Sequence, residues 1–222
     1  VNVTVLIGDI DGNDIVDEHG VVADPFDIAG DNSYHVVSGS FVGTSTVLDG
    51  LVVTAGKNGS DDPQHQGAGV TLNAGFPTFR NMIFSGNWAY DGGGALFSQS
   101  GALDSNAPSA GDPISIIDST FVNNRTNQGG GGAIAGSDNT LAISGTTFRG
   151  NVTTGNGGAV YLVSSDLTVD ASTFTGNLVD ALGSGGAIYT AVGGASTVTV
   201  NNSTFSNNAS NTGGAIAISN PS

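Results

Sequence analysis

The densest collection of groups able to do chemistry lies near the start of the chain, in Asp9-Ile-Asp11-Gly-Asn13-Asp14-Ile-Val-Asp17-Glu18. Oxygen-bearing side chains at alternate positions around a glycine turn suit Ca2+, a hard cation that takes several carboxylate and carbonyl oxygens from one tight loop. Asp9, Asp11, Asn13, Asp14, Asp17 and Glu18 are therefore the metal-ligand candidates, and Ca2+ is the cofactor they would hold. The match to a helix-flanked calcium loop is partial. Gly12 stands at the fourth position of the run rather than the sixth, and Gly20 stands where such a loop ends on a bidentate glutamate. A solvated acidic loop is the competing reading, and the residues alone leave both open.

What must position this segment is a repeat. Phe84, Phe121, Phe148, Phe174 and Phe205 are each followed three residues later by Asn87, Asn124, Asn151, Asn177 and Asn208. Ten to thirteen residues beyond each phenylalanine, a Gly-Gly-Ala triplet ends at Ala95, Ala133, Ala159, Ala187 or Ala215. Self-similarity at a spacing of 26 to 37 residues marks a solenoid, in which one turn cannot bury its apolar face without its neighbours. Before the last four phenylalanines, apolar residues sit at minus seven and minus five, as in Leu141-Ala-Ile143 and Val198-Thr-Val200. That period of two is a half-buried strand, and a second short strand opens at each Gly-Gly-Ala. Each turn then holds two or three strands punctuated by Gly, Asn and Ser, with the phenylalanines stacked inside and the asparagines forming an amide ladder. Val53 takes the phenylalanine's place in an earlier turn, and Val3 to Ile7 reads as one earlier still. The predicted fold is all-β, a right-handed parallel β-helix of about seven to eight turns. Residues 1–45 would form divergent N-terminal turns with the acidic loop, and 46–222 the regular repeats of one continuous solenoid.

Phe-x-x-Asn followed by Gly-Gly-Ala-[Ile/Leu/Val] resembles the repeat of chlamydial polymorphic outer-membrane proteins, which are adhesins, and of bacterial surface proteins with right-handed parallel β-helix repeats. The resemblance spans nearly the whole chain and implies a β-helix on a cell surface; it implies no reaction. The autotransporter barrel expected after the chlamydial repeats is not in this sequence.

Composition narrows the partners. Nineteen acidic residues against four basic ones give a formal net charge of -15, which repels nucleic acid and anionic membranes. No apolar run approaches the roughly 20 residues of a membrane-spanning helix. There is no cysteine, and hence no disulfide framework and no thiol nucleophile. The chain opens at Val1 without a leader, so a processed chain or a segment of a longer, exported one is expected. Two further stretches read as insertions: Lys57 to Gln66, with Asp61, Asp62 and His65, and the Ser/Gly/Asp-rich run from Ser98 to Pro113. Such segments carry binding in repeat proteins or are tolerated surface loops. Asn58, in the first of them, is the inviting glycosylation sequon.

Support for catalysis is thin. His19, His35 and His65 have no partner at metal or triad spacing, and no Gly-x-Ser-x-Gly elbow is present. Beside Lys57 and Arg80, Arg125 and Arg149 fall at unlike repeat positions, four and one residues after phenylalanine, so they need not converge to neutralise a uronate. Among Asp118, Asp166 and Asp170, the first and last hold neighbouring repeat positions two turns apart, roughly 10 Å, at the edge of the range for a glycosidase pair. The sequence therefore reads as a non-catalytic extracellular or cell-surface adhesin, stalk or filament element. Its partners would be itself, stacked end to end or laterally, or a glycan or host surface. A polysaccharide lyase or hydrolase on the same scaffold is the alternative.

Overall fold

The computed structural model describes residues 3–60, 65–100, 112–191 and 196–220. Every sheet is parallel, and strands of successive turns pair in register. One 3-10 turn, Pro25–Asp27, is the helical element among the described residues. The solenoid has four faces. A leading face runs from Val47–Asp49 through Thr78–Arg80, Pro113–Ile117, Thr140–Ser144 and Asp166–Asp170 to Val198–Asn201. A phenylalanine face runs from Thr4–Ile7 and Leu51–Thr54 to Thr204–Ser206. A short face of two-residue strands holds Trp88–Ala89, Arg125–Thr126, Val152–Thr153 and Leu178–Val179. A tyrosine face runs from Val37–Ser40 to Ile216–Ser219 and includes Leu96–Gln99, Ile134–Ser137, Val160–Val163 and Ile188–Ala191.

The leading face has six strands and the spiral makes about six turns, fewer than the seven to eight expected. The difference lies between Ile7 and Val37, where the chain leaves the spiral for a lateral flap instead of coiling another rung. The short face was not foreseen, since two residues are too few to display a period. Its inward positions are small: Ala89, Thr126 and Thr153 are fully buried, and Val179 nearly so.

Why these residues form these elements is clearest at the corners. The position three before each phenylalanine is left-handed whatever its residue: Asn81, Asp118, Gly145, Ala171 and Asn202 have φ between 47° and 57°. The position two after it is left-handed as well, at Gly86, Asn123, Gly150, Gly176 and Asn207. Gly and Asn tolerate that region best, so these two bends fix where the phenylalanine strand begins and ends. The first glycine of each triplet makes a third such bend. The second serves close approach: a Cβ on Gly158 would run into the carbonyl oxygen of Gly186, one turn on.

Register then places like over like. Val53, Phe84, Phe121, Phe148, Phe174 and Phe205 align in one row, with Leu6 before Val53. The five rings stack with centroids 4.4, 4.8, 4.6 and 4.8 Å apart and planes within 13°. Phe84 to Phe174 are fully buried, each worth about 1.5–3 kcal/mol of apolar burial.

The asparagine ladder lies beside the rings. Asn124 Nδ2 donates to Asn151 Oδ1 at 3.0 Å and to Phe84 O at 3.0 Å, and Asn124 N donates to the same Asn151 Oδ1. Asn87, Asn151 and Asn177 repeat the pattern, and Asn208 closes it by donating to Phe174 O. A hydroxyl ladder runs two residues before each phenylalanine. Met82 N donates to Ser119 Oγ, Ser119 N to Thr146 Oγ1, Thr146 N to Ser172 Oγ and Ser172 N to Ser203 Oγ. Together the two ladders satisfy the backbone N–H groups that the bends leave without a sheet partner.

Candidate functional site

The acidic segment forms the first limb of the flap, residues 8–36, and its aspartates accept hydrogen bonds from groups of the flap itself. Asp9 accepts from the N–H groups of Gly12, Asn13 and Asp14 at 2.8, 3.3 and 3.2 Å. Asp11 accepts from Asn13 Nδ2 and Asp31 N. Asp14 accepts from Ala29 N at 2.7 Å and Asn32 Nδ2 at 2.8 Å. Asp17 accepts from His19 N and Val21 N, while Glu18 is exposed with His19 Nε2 3.7 Å away. Partial burial works to raise the Asp9 carboxyl, but the three N–H donors outweigh it and hold it below the usual range. The N–H groups of Val21 and His19 lower Asp17 in the same way. Asp9, Asp11, Asn13 and Asp14 thus share one loop, and Asp17 and Glu18 belong to the next turn. Among the described residues, no three or more His, Asp or Glu side chains are grouped so as to hold a metal ion.

Beyond the acidic limb, the flap folds across three turns. Thr54 Oγ1 and Ser85 Oγ both donate to Val22 O, and Asn123 Nδ2 donates to Ala23 O. Val22, fully buried, packs with Ile28, Ala55 and Trp88. Phe26 meets Trp88 edge-to-face with ring centroids 5.5 Å apart, and the Arg125 guanidinium lies over the Phe26 ring at 5.2 Å. Lys57 reaches Ile28 O and lies over Trp88. Sequence reasoning did not find this brace. Its signal, an apolar Val21-Val22 followed by Asp24-Pro25 as the cap of a 3-10 turn, is too short to separate from a loop.

The remaining candidates are dispersed. Arg80 pairs with Asp49 at 2.7 Å, and Arg149 projects from the phenylalanine face. Asp118 lies over Gly145, Asp166 accepts from Thr197, and Asp170 accepts from Asn202 Nδ2. His35 bonds Gly67 O through Nδ1 and His65 bonds Gly59 O, as structural residues do. Asn58 is not an open sequon: it is 4% exposed, and its amide joins Tyr34 O to Tyr90 N. Of the two insertions, Asp61, Asp62, Pro63 and Gln64 and residues 101–111 lie outside the described residues. Ser98 and Gln99 belong to a tyrosine-face strand and Pro113 to a leading-face strand, so the second insertion is shorter than expected.

One concavity does gather functional groups, on the tyrosine face. Thr71, Phe97, Ala135, Tyr161, Tyr189 and Ala217 occupy one register row, on the outward side of the strands. Tyr161 and Tyr189 stack at 5.6 Å and 13°, and burial pushes the Tyr161 phenol up, with Tyr189 adding to the effect. Between Phe97 and Tyr161 the row drops to Ala135, beside Gly136, and leaves a groove of about 410 Å³. Gln66, Asp91, Gln128 and Asn156 rise on one side of it, and Gln99, Ser137 and Val163 on the other. Gly130 makes the tyrosine's place, since a Cβ there would meet the Tyr161 ring.

Three stretches of the chain, residues 81–99, 145–162 and 171–191, match the Chlamydia polymorphic membrane protein repeat. Each holds one phenylalanine of the stacked row (Phe84, Phe148 or Phe174), its ladder asparagine and the Gly-Gly-Ala triplet. They cover about a quarter of the sequence. The turns of Phe121 and Phe205, outside them, keep the same register. No curated protein and no solved structure matches the chain. What the resemblance implied about architecture therefore stands: the chain is a parallel β-solenoid, three stretches of which are similar to the Chlamydia polymorphic membrane protein repeat.

Proposed function

We propose that the chain is a non-catalytic, exported solenoid displayed on a cell surface, where it serves as an adhesin or as a structural stalk. The observation that carries this reading is the allocation of its groups. Rings, amides, hydroxyls and corner glycines are committed to stacking one turn on the next. The carboxylates of Asp118 and Asp170 lie two turns apart at one end of the leading-face strands and that of Asp166 at the other, so the three do not converge. The three matched repeats belong to a family named for membrane proteins, which supports an outer surface as the place of display.

Protease treatment of intact cells that make the protein tests the reading. Cleavage of the chain in whole cells, with a cytoplasmic marker spared, is expected. Protection until the cells are lysed would refute it.

A further inference from the structure

We propose that the groove between Phe97 and Tyr161 is a binding site for a neutral oligosaccharide. The proposal rests on the surface-display reading for where such a ligand would be met, and names what the surface would hold. A pyranose presents flat C–H faces and a rim of hydroxyls. The faces match aromatic rings, and the rim matches planar amides, which both donate and accept. Here two half-buried aromatic walls stand two turns apart, about 9.6 Å by strand spacing, over a floor recessed at Ala135. Gln66, Gln99, Gln128 and Asn156 supply four amides around the rim.

Charge selects among ligands. The described lining contains no basic residue, carries Asp91 as its one carboxylate, and belongs to a chain of net charge -15. Phosphates, uronates and nucleic acid are repelled. A purely apolar partner would leave the amides without water or hydrogen bonds, at a cost that a hydroxylated one avoids. A single carboxylate also falls short of the pair that glycoside hydrolysis uses, so the groove is fitted to hold a sugar chain and not to cut it.

Rigidity of the walls favours binding. Tyr161 is fixed by Tyr189 and Gly130, and Gln128 is held through its Nε2 by Tyr90 Oη at 2.7 Å. Little side-chain freedom remains to be lost when a ligand arrives.

Titration calorimetry of the whole chain with β-1,4-linked glucose and N-acetylglucosamine oligomers, from dimer to hexamer, tests the site. Binding is expected to strengthen with length until the groove is spanned. Tyr161→Leu, which keeps an apolar cover on Gly130, and Phe97→Leu should each weaken it about tenfold, or about 1.4 kcal/mol. Thr168→Ala, exposed on the leading face, should leave it unchanged. Should a ring variant fail to fold, Gln99→Ala, at an exposed position, should still weaken binding severalfold. Absence of heat with every oligomer, or binding that survives the ring and Gln99 substitutions, overturns the proposal. Surface cleavage in whole cells without oligosaccharide binding sinks the groove alone. Binding by the isolated chain together with protection in intact cells sinks the surface reading and leaves the groove.

Discussion

Replacing Asn151 by alanine takes four hydrogen bonds out of the middle of the ladder. The side chain accepts from Asn124 N and Asn124 Nδ2, both at 3.0 Å, and donates to Asn177 Oδ1 at 2.9 Å and Phe121 O at 3.0 Å. It is fully buried, so its partners cannot turn to bulk water. Asn177 Oδ1 keeps Asn151 N as a donor, which leaves two or three orphaned groups at about 1–3 kcal/mol each. A loss of about 4 kcal/mol follows. At the last rung, Asn208→Ala removes a comparable set of bonds from a half-buried position, where water can replace them, at about 1 kcal/mol. In a domain of this size those costs correspond to about 8–16 °C and about 2–4 °C in melting temperature. Urea denaturation followed by circular dichroism measures the difference, with amide exchange alongside because stacked repeats can open in part. Two variants within about 1 kcal/mol of each other would refute the claim that the ladder is a desolvated column. Asn151→Asp adds a check by pH. It keeps the acceptors and loses the donors, and burial would raise its folded pKa. Its stability should therefore be fully present below the ordinary carboxylate range and fall as pH rises through the raised value.

Other positions test the corners, the rings and the flap. Phe148→Ala, between two rings at 4.8 and 4.6 Å, should cost about 3–5 kcal/mol by denaturation. Gly158→Ala should prevent folding to the native circular dichroism spectrum, because the added methyl meets Gly186 O. Gly176→Ala, with φ of 64° and open space around it, should cost about 1–2 kcal/mol, and Gly176→Asn less, as Asn123 and Asn207 hold the same bend. The lowered carboxyls of Asp9 and Asp17 predict flap stability that is present above the ordinary carboxylate range and lost as pH falls through their depressed values. Hydrogen exchange at Gly12, Asn13, His19 and Val21, whose N–H groups donate to these two carboxylates, reads that loss amide by amide.

The parts legible in the sequence were those where one residue type serves one geometric task in every turn. Phe121, Asn124 and Gly131-Gly132-Ala133 announce ring, amide and corner together, and even Val53 could be set beneath Phe84 by counting. The hydroxyl ladder was harder to see, because Ser119, Thr146, Ser172 and Ser203 are the residues any turn would use. The flap was illegible for a different reason. Its contacts run from Val22 and Ala23 to Thr54, Ser85 and Asn123, far apart in sequence and outside any repeat. The acidic run was visible as composition, but which donors its oxygens meet depends on how the loop closes on Ala29 to Asn32. The groove depends on an omission: Ala135 matters only because Phe97 and Tyr161 stand on either side of it once the turns are wound.

The flap also has a mechanical consequence. Tension along the long axis of a solenoid is carried in series, each rung held to the next by its own hydrogen bonds, so the weakest junction yields first. By fastening to Thr54, Ser85 and Asn123 at once, the flap joins three neighbouring rungs in parallel. A force that peels this chain should meet its stiffest resistance there, and unravelling should begin among the unbraced rungs towards Phe205.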